Sequence, residues 1–235
     1  MRRLVRKCIE LLFPSHAQCL ACGFKRIEAD GPPLCKTCLD EMETKRLQSN
    51  VCDKCGHSLL GNGCRFCKTE VCKRIAWMRA AYPYEGAPGK LVQRFKYDAV
   101  ESAGTMMAAE MVHAFSTNRP PQIDVCTYVP MSGKAKRYRG EDHAQCLGEM
   151  FSRKTDIPLK TLLKANPTRK RQAQLNKEQR LKNKRGAYEV IENVKGLHIL
   201  LIDDVVTTGA SVRECAAVLL KAGAASVNVM CYAFA

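Results

Sequence analysis

Apolar positions in the later part of the 235-residue chain alternate between two rhythms. A nearly continuous run at 76–84 predicts a strand, and spacings of three and four residues predict helices over 88–97 and 102–116. Residues 124–130, short, apolar and stopped by Pro130, predict a second strand, and 142–154 predicts another helix. The run 197–204 is almost wholly apolar until it closes on Asp203 and Asp204, the pattern of a strand buried on both faces of a sheet. A helix over 210–221 and a strand over 226–234 complete a strand, turn, helix, strand unit. Elements alternating in this way imply an α/β fold around a mostly parallel, Rossmann-like sheet with right-handed crossovers.

Before residue 76 the pattern is different. Arg2, Arg3, Arg6 and Lys7 precede the short run 9–13, which resembles a secretion signal until Glu10 interrupts it and no small-residue cleavage site follows. Leu4, Val5, Cys8, Leu11 and Leu12 share one helical face, so residues 1–16 are expected to form an amphipathic docking helix. No stretch approaches the roughly 18 apolar residues needed to cross a bilayer, and a cytoplasmic protein is expected.

Ten of the fourteen cysteines lie between Cys8 and Cys72. Four C-x-x-C pairs follow one another: Cys19 and Cys22, Cys35 and Cys38, Cys52 and Cys55, Cys64 and Cys67. A two-residue gap lets both sulfurs of one turn reach the same Zn²⁺, and two such turns complete a four-thiolate, closed and therefore structural site. Cys19 to Gly23 is echoed 33 residues later by Cys52 to Gly56, with a glycine after each leading pair where a knuckle turn needs positive φ. Residues 17–75 thus read as two successive zinc ribbons holding two structural zinc ions. A cross-brace, in which the first and third pairs share a metal, is the competing arrangement. The module is too small for a core of its own, so metal is expected to supply its folding energy. His57 is expected at the surface and Cys72 as a free thiol.

Composition adds a charge. Lys and Arg number 38 against 23 Asp and Glu, a formal net charge of +15. Hydrophobic residues at 46% suffice for an ordinary core and exclude a disordered or fibrous chain. The basic excess peaks over 164–185, where nine positive residues face Glu178 alone, a candidate contact for a phosphate backbone or simply a solvated face.

Candidate chemistry gathers where the run 197–204 ends. Open parallel sheets bind ligands outside the carboxyl ends of their strands. Asp203 and Asp204 suit vicinal sugar hydroxyls, directly or through Mg²⁺. Val206, Thr207, Thr208, Gly209, Ala210 and Ser211 then offer hydroxyls and close-packed N–H groups at a helix N-terminus, suited to a phosphate. The plain alternative is a strand-to-helix turn capped by Thr208.

This run resembles the phosphoribosyl pyrophosphate (PRPP) signature of type I phosphoribosyltransferases. The resemblance implies that the acidic pair holds the ribose hydroxyls and the Thr-Gly turn the 5′-phosphate. The paired ribbons, Tyr84, Phe95 to Tyr97, Val129 and Pro130, Arg137 to Gly140, Gln172 to Leu175, Arg180, Asn183, Gly186 to Tyr188 and the acidic loop together resemble the ComF family, in order and over almost the whole chain. The chain departs from that family at Glu141, Asp142 and His143, where Phe-Asn-Gln is usual. Residues 76–235 are accordingly expected to form a phosphoribosyltransferase-like domain. Lys96, following a predicted helix where that fold has its pyrophosphate loop, and the guanidinium groups of Arg137 and Arg139 are the candidates for holding phosphate oxygens. The resemblance further implies DNA uptake in natural transformation, with single-stranded DNA, a competence helicase and a recombination mediator as partners. Three function classes stay open: a PRPP-dependent transferase, a PRPP-sensing regulator without turnover, and a nucleic-acid-binding scaffold.

Overall fold

The computed structural model describes residues 18–25, 27, 33–46, 51–57, 64, 66–69, 72–98, 101–118, 120–131, 142–166 and 186–235. The expected N-terminal helix, Arg137, Arg139, and the basic stretch from 167 to 185 lie outside the described residues.

Four parallel strands form the sheet, in the order β1 (Trp77–Pro83), β6 (Ser226–Phe234), β5 (His198–Val206), β2 (Val125–Tyr128). Beyond β2, Cys126 bonds Pro158 O and Lys160 N through its main chain, so 158–160 continues the sheet as a single parallel bridge at Leu159. α2 (Gly86–Tyr97), α3 (Glu101–Thr117) and α4 (His143–Thr155) cover one face, where Leu91, Met107, Met111, Leu147 and Phe151 meet Leu200, Ile202, Met230 and Tyr232. α5 (Ala210–Lys221) covers the other, and its Val212, Cys215, Ala216 and Leu219, at the spacing of one helical stripe, pack on Ile199, Leu201, Val227 and Val229. Helices on both faces explain why β5 is apolar at successive positions rather than alternate ones.

Helix boundaries follow their caps. Asp142 precedes α4 as its N-cap and accepts from Gln145 N, while its second oxygen accepts from Met131 N at 2.8 Å. Asp142 therefore serves the helix start. Asp156, at φ 57°, closes α4 in the left-handed region. α5 begins at Gly209, its N-cap at φ 67°, and not at a Thr208 cap as the plain alternative has it.

Two expectations are corrected. The strand predicted to end at Asp204 runs on to Val206, because Val205 and Val206 pair with Ala233 and Phe234 of β6. A two-stranded antiparallel hairpin of β3 (Leu163–Ala165) and β4 (Tyr188–Val190) lies outside the predicted elements. The cysteine-rich segment packs on the main core. Leu20, Leu34, Cys35 and Met42, the last on α1 (Lys36–Lys45), share a cluster with Trp77, Leu91 and Met107, whereas Cys55 and Cys72 join the cluster on the α5 face. The two repeats therefore sit on opposite faces of one sheet. The second repeat also bonds the outer edge of β1 through Met78 N to Lys54 O at 2.8 Å.

Candidate functional site

Strand β5 delivers both acidic residues to the carboxyl end of the sheet, and being adjacent they leave on opposite faces. Asp203 shares the α5 side with Leu201 and lines a small recess, open to solvent, with Thr207, Thr208, Gly209, Ala210 and Ser211. Its Oδ1 accepts from Asp204 N at 2.9 Å. Asp204 follows Ile202 to the other side, where its Oδ1 lies 2.8 Å from Lys96 Nζ, both side chains being largely buried. Lys96 thus reaches the predicted loop, from the last turn of α2 rather than from a loop after it. The pairing separates two carboxylates that the sequence presents as equivalents: one is committed to a cation, the other borders the recess.

The recess floor is a helix start. Gly209 in the left-handed region turns the chain into α5 with no side chain of its own to cap it, and the first turn of the helix borders the recess. Arg213 N closes the turn on Gly209 O at 2.8 Å, and one residue on, Arg213 and Glu214 form a nearly buried ion pair at 2.9 Å. That pair is absent from the residues singled out by motif, since nothing in its spacing distinguishes it from a surface pair on a helix.

The cysteines group as the sequential arrangement requires and not as a cross-brace. The Sγ atoms of Cys19, Cys22, Cys35 and Cys38 lie within 4.8 Å of one another, as do those of Cys52, Cys55, Cys64 and Cys67. Cys52 and Cys67 are 3.4 Å apart and Cys55 and Cys64 3.2 Å, near the edge of about 3.8 Å for a tetrahedron with 2.3 Å metal–sulfur bonds. Both knuckle glycines, Gly23 at φ 72° and Gly56 at φ 67°, have the positive φ expected.

Electrostatics within each cluster is uneven. Burial raises the Cys22 thiol, but the N–H groups of Lys25 and Phe24 and the neighbouring Cys19 and Cys35 bring it down to about 6. Cys52 is likewise opposed by burial, yet the N–H groups of Cys55 and Lys54 and the Cys67 thiol lower it to about 7. Burial first, then the surrounding thiols, pushes Cys38 and Cys55 far up, and Cys67 to about 12. Four thiolates this close repel one another without a cation, and a soft divalent ion is what such a donor set fits.

His57 is not at the surface as expected, while Cys72 is a free thiol as expected, though a buried one. The His57 ring stacks between Phe66 and Phe234 at 3.9 and 4.0 Å, and burial lowers its basicity. Cys72 is fully buried with its Sγ 3.5 Å from that of Cys67. Arg79, missed by motif, donates to Asp53 O at 2.6 Å, to Met78 O at 2.8 Å and to Asn118 Oδ1 at 3.2 Å, holding the second knuckle on β1. Among the described residues no helix is long and apolar enough to cross a membrane.

The phosphoribosyl transferase domain family matches residues 99–234, more than half of the chain. The DNA utilization protein YhgH of Escherichia coli (strain K12) is 28% identical over 212 residues, covering 84% of this chain and 88% of that protein. The competence protein ComFC of Bacillus subtilis (strain 168) is 26% identical over 202 residues, 83% of this chain and 81% of that protein. Among solved structures, a glutamine PRPP amidotransferase from B. subtilis complexed with ADP and GMP covers 55% of this chain and 26% of that chain at 22% identity, with a TM-score of 0.38 that carries no weight for function. Thiol clusters ahead of a matched transferase domain, together with relatives that span both parts, make this chain a member of the ComF family, built on a phosphoribosyl transferase domain.

Proposed function

We propose that the recess at the end of β5 binds PRPP or another 5′-phosphoribosyl group, and that the protein acts in DNA utilisation in the cytoplasm. The observation that carries this reading is the glycine-turned start of α5 beside the Asp203 carboxylate at the carboxyl end of a central strand. In this reading the first-turn N–H groups and the hydroxyls of Thr207, Thr208 and Ser211 hold the 5′-phosphate. Asp203 accepts from ribose hydroxyls and supplies a hard oxygen for Mg²⁺. Lys96, oriented by Asp204, faces the diphosphate; Arg137 and Arg139 join it on sequence grounds alone. Mg²⁺ bound with the diphosphate neutralises charge on the leaving group. Binding of this kind serves either a phosphoribosyl transfer or a sensor without turnover.

Each thiol cluster holds one structural zinc ion. The names of the relatives, a DNA utilization protein and a competence protein, and the basic composition support DNA as a partner; the ComF resemblance adds single strands, a helicase and a recombination mediator.

Titration calorimetry with PRPP and Mg²⁺, on the wild type and on Asp203→Asn, tests the site, with single-stranded DNA titrated in parallel over a salt series. The variant is expected to weaken PRPP binding about 10- to 100-fold, the range for a lost hydrogen bond to a charged group. Pyrophosphate release with added acceptors then separates transferase from sensor. Absence of PRPP binding to the wild type, with salt-sensitive DNA binding retained, overturns the ribose-phosphate site in favour of a nucleic-acid scaffold.

A further inference from the structure

A fifth cysteine stands beside the four of the second thiol cluster, in contact with Cys67. Cys72 falls outside the C-x-x-C repeat and has no counterpart in the first cluster, yet its Sγ stands 3.5 Å from Cys67 Sγ. That separation matches those between the members themselves, 3.4 Å for Cys52 with Cys67 and 3.2 Å for Cys55 with Cys64. The thiol is 0% exposed and is held in place by main-chain bonds. Phe66–Lys68 and Cys72–Arg74 are two single 3₁₀ turns, linked through Thr69: its N and Oγ1 bond Phe66 O, and its O accepts from Cys72 N at 3.2 Å. Cys67 and Cys72 therefore sit on adjoining turns that present their sulfurs to each other, and Cys67, unlike Cys72, is partly exposed.

We propose that Cys72 is a reserve ligand of the second thiol centre, able to take the coordination position of Cys67. The inference rests on the reading that this cluster binds a metal. The exchange is balanced without an oxidant: the entering Cys72 thiol gives up the proton that the departing Cys67 sulfur takes, and the metal keeps four sulfur ligands. Until exchange, the Cys72 S–H donates to the Cys67 sulfur, easing the negative charge that four thiolates place in a partly buried site. The structure offers the first centre no such alternative among the described residues.

The test uses the full chain loaded with zinc, and separately with cobalt(II), with metal content and the thiolate–cobalt absorption as readouts. Wild type and Cys72→Ala are expected to hold two metals. Cys67→Ala should also hold two and keep a four-thiolate cobalt spectrum, whereas Cys67→Ala/Cys72→Ala and Cys55→Ala should each fall to one. Loss of one metal from Cys67→Ala, equal to that from the double variant, overturns the proposal. A wild-type chain with fewer than two metals overturns the underlying metal reading instead, and is recognised before any variant is compared. Should the Cys67 variants fail to fold, zinc loss to a chelator from Cys72→Ala decides. The second metal should leave about tenfold faster than from wild type, and an unchanged rate overturns the role.

Discussion

A single ion pair gives the two neighbouring carboxylates different tasks. Asp204 is held by Lys96 at 2.8 Å, whereas Asp203 borders the recess. Removing either partner leaves a largely buried charge alone, so Asp204→Asn and Lys96→Met should each cost about 1–3 kcal/mol of stability. A double-mutant cycle by urea unfolding should return a coupling energy between them; additive losses would show that they act independently. The acidic pair was legible because two carboxylates after an apolar strand are conspicuous. Its division was not, because the deciding lysine comes from a distant helix and only the fold brings it near. The same holds for His57, whose burial depends on Phe234, a residue that no local spacing connects to it.

Between elements, α2 and α3 fit closely where Phe95 meets Gly104. A Cβ on Gly104 would lie 2.5 Å from the Phe95 ring, itself packed edge-on to His143 at 5.2 Å. Gly104→Ala should therefore destabilise by about 1–3 kcal/mol despite its higher helix propensity, read as a lower urea midpoint at unchanged slope; an unchanged or higher midpoint would show that the ring yields freely. Long elements were readable: α5 and β6 occupy the residues expected of them, since their apolar stripes are strong and their flanks polar. The hairpin of β3 and β4 was not, since three-residue strands are shorter than any pattern that periodicity resolves. The end of β5 was misjudged for a related reason. Acidic residues signal a loop locally, while the register with β6 carries the strand past them.

For the molecule as a whole, the sequence presents a cysteine module followed by an α/β unit, and the packing joins them. Arg46, at the end of α1, pairs with Glu110 of α3 at 2.8 Å, and Tyr82 of β1 donates to the same carboxylate at 2.7 Å. With Arg79 clamping the second knuckle, the first strand is held from both faces. Residues 76–235 expressed alone should consequently expose two apolar patches and fail to give a cooperative thermal transition. Chelator treatment of the full chain should lower its Tm, and an unaltered transition in either experiment would mean that the α/β unit stands without its covering. Which face each cluster covers could not be read in advance, because both repeats look alike in sequence and differ only in what they touch.

The strand order carries a consequence in time. β6, the latest strand along the chain, lies between β1 and β5. During synthesis β1 emerges well before its partner strand β6, and Phe234, against which His57 stacks, is made long after His57 itself. Each ribosome therefore carries a nascent chain whose thiols are already made but whose lasting cover is not, and early capture of metal would be the safeguard during that interval.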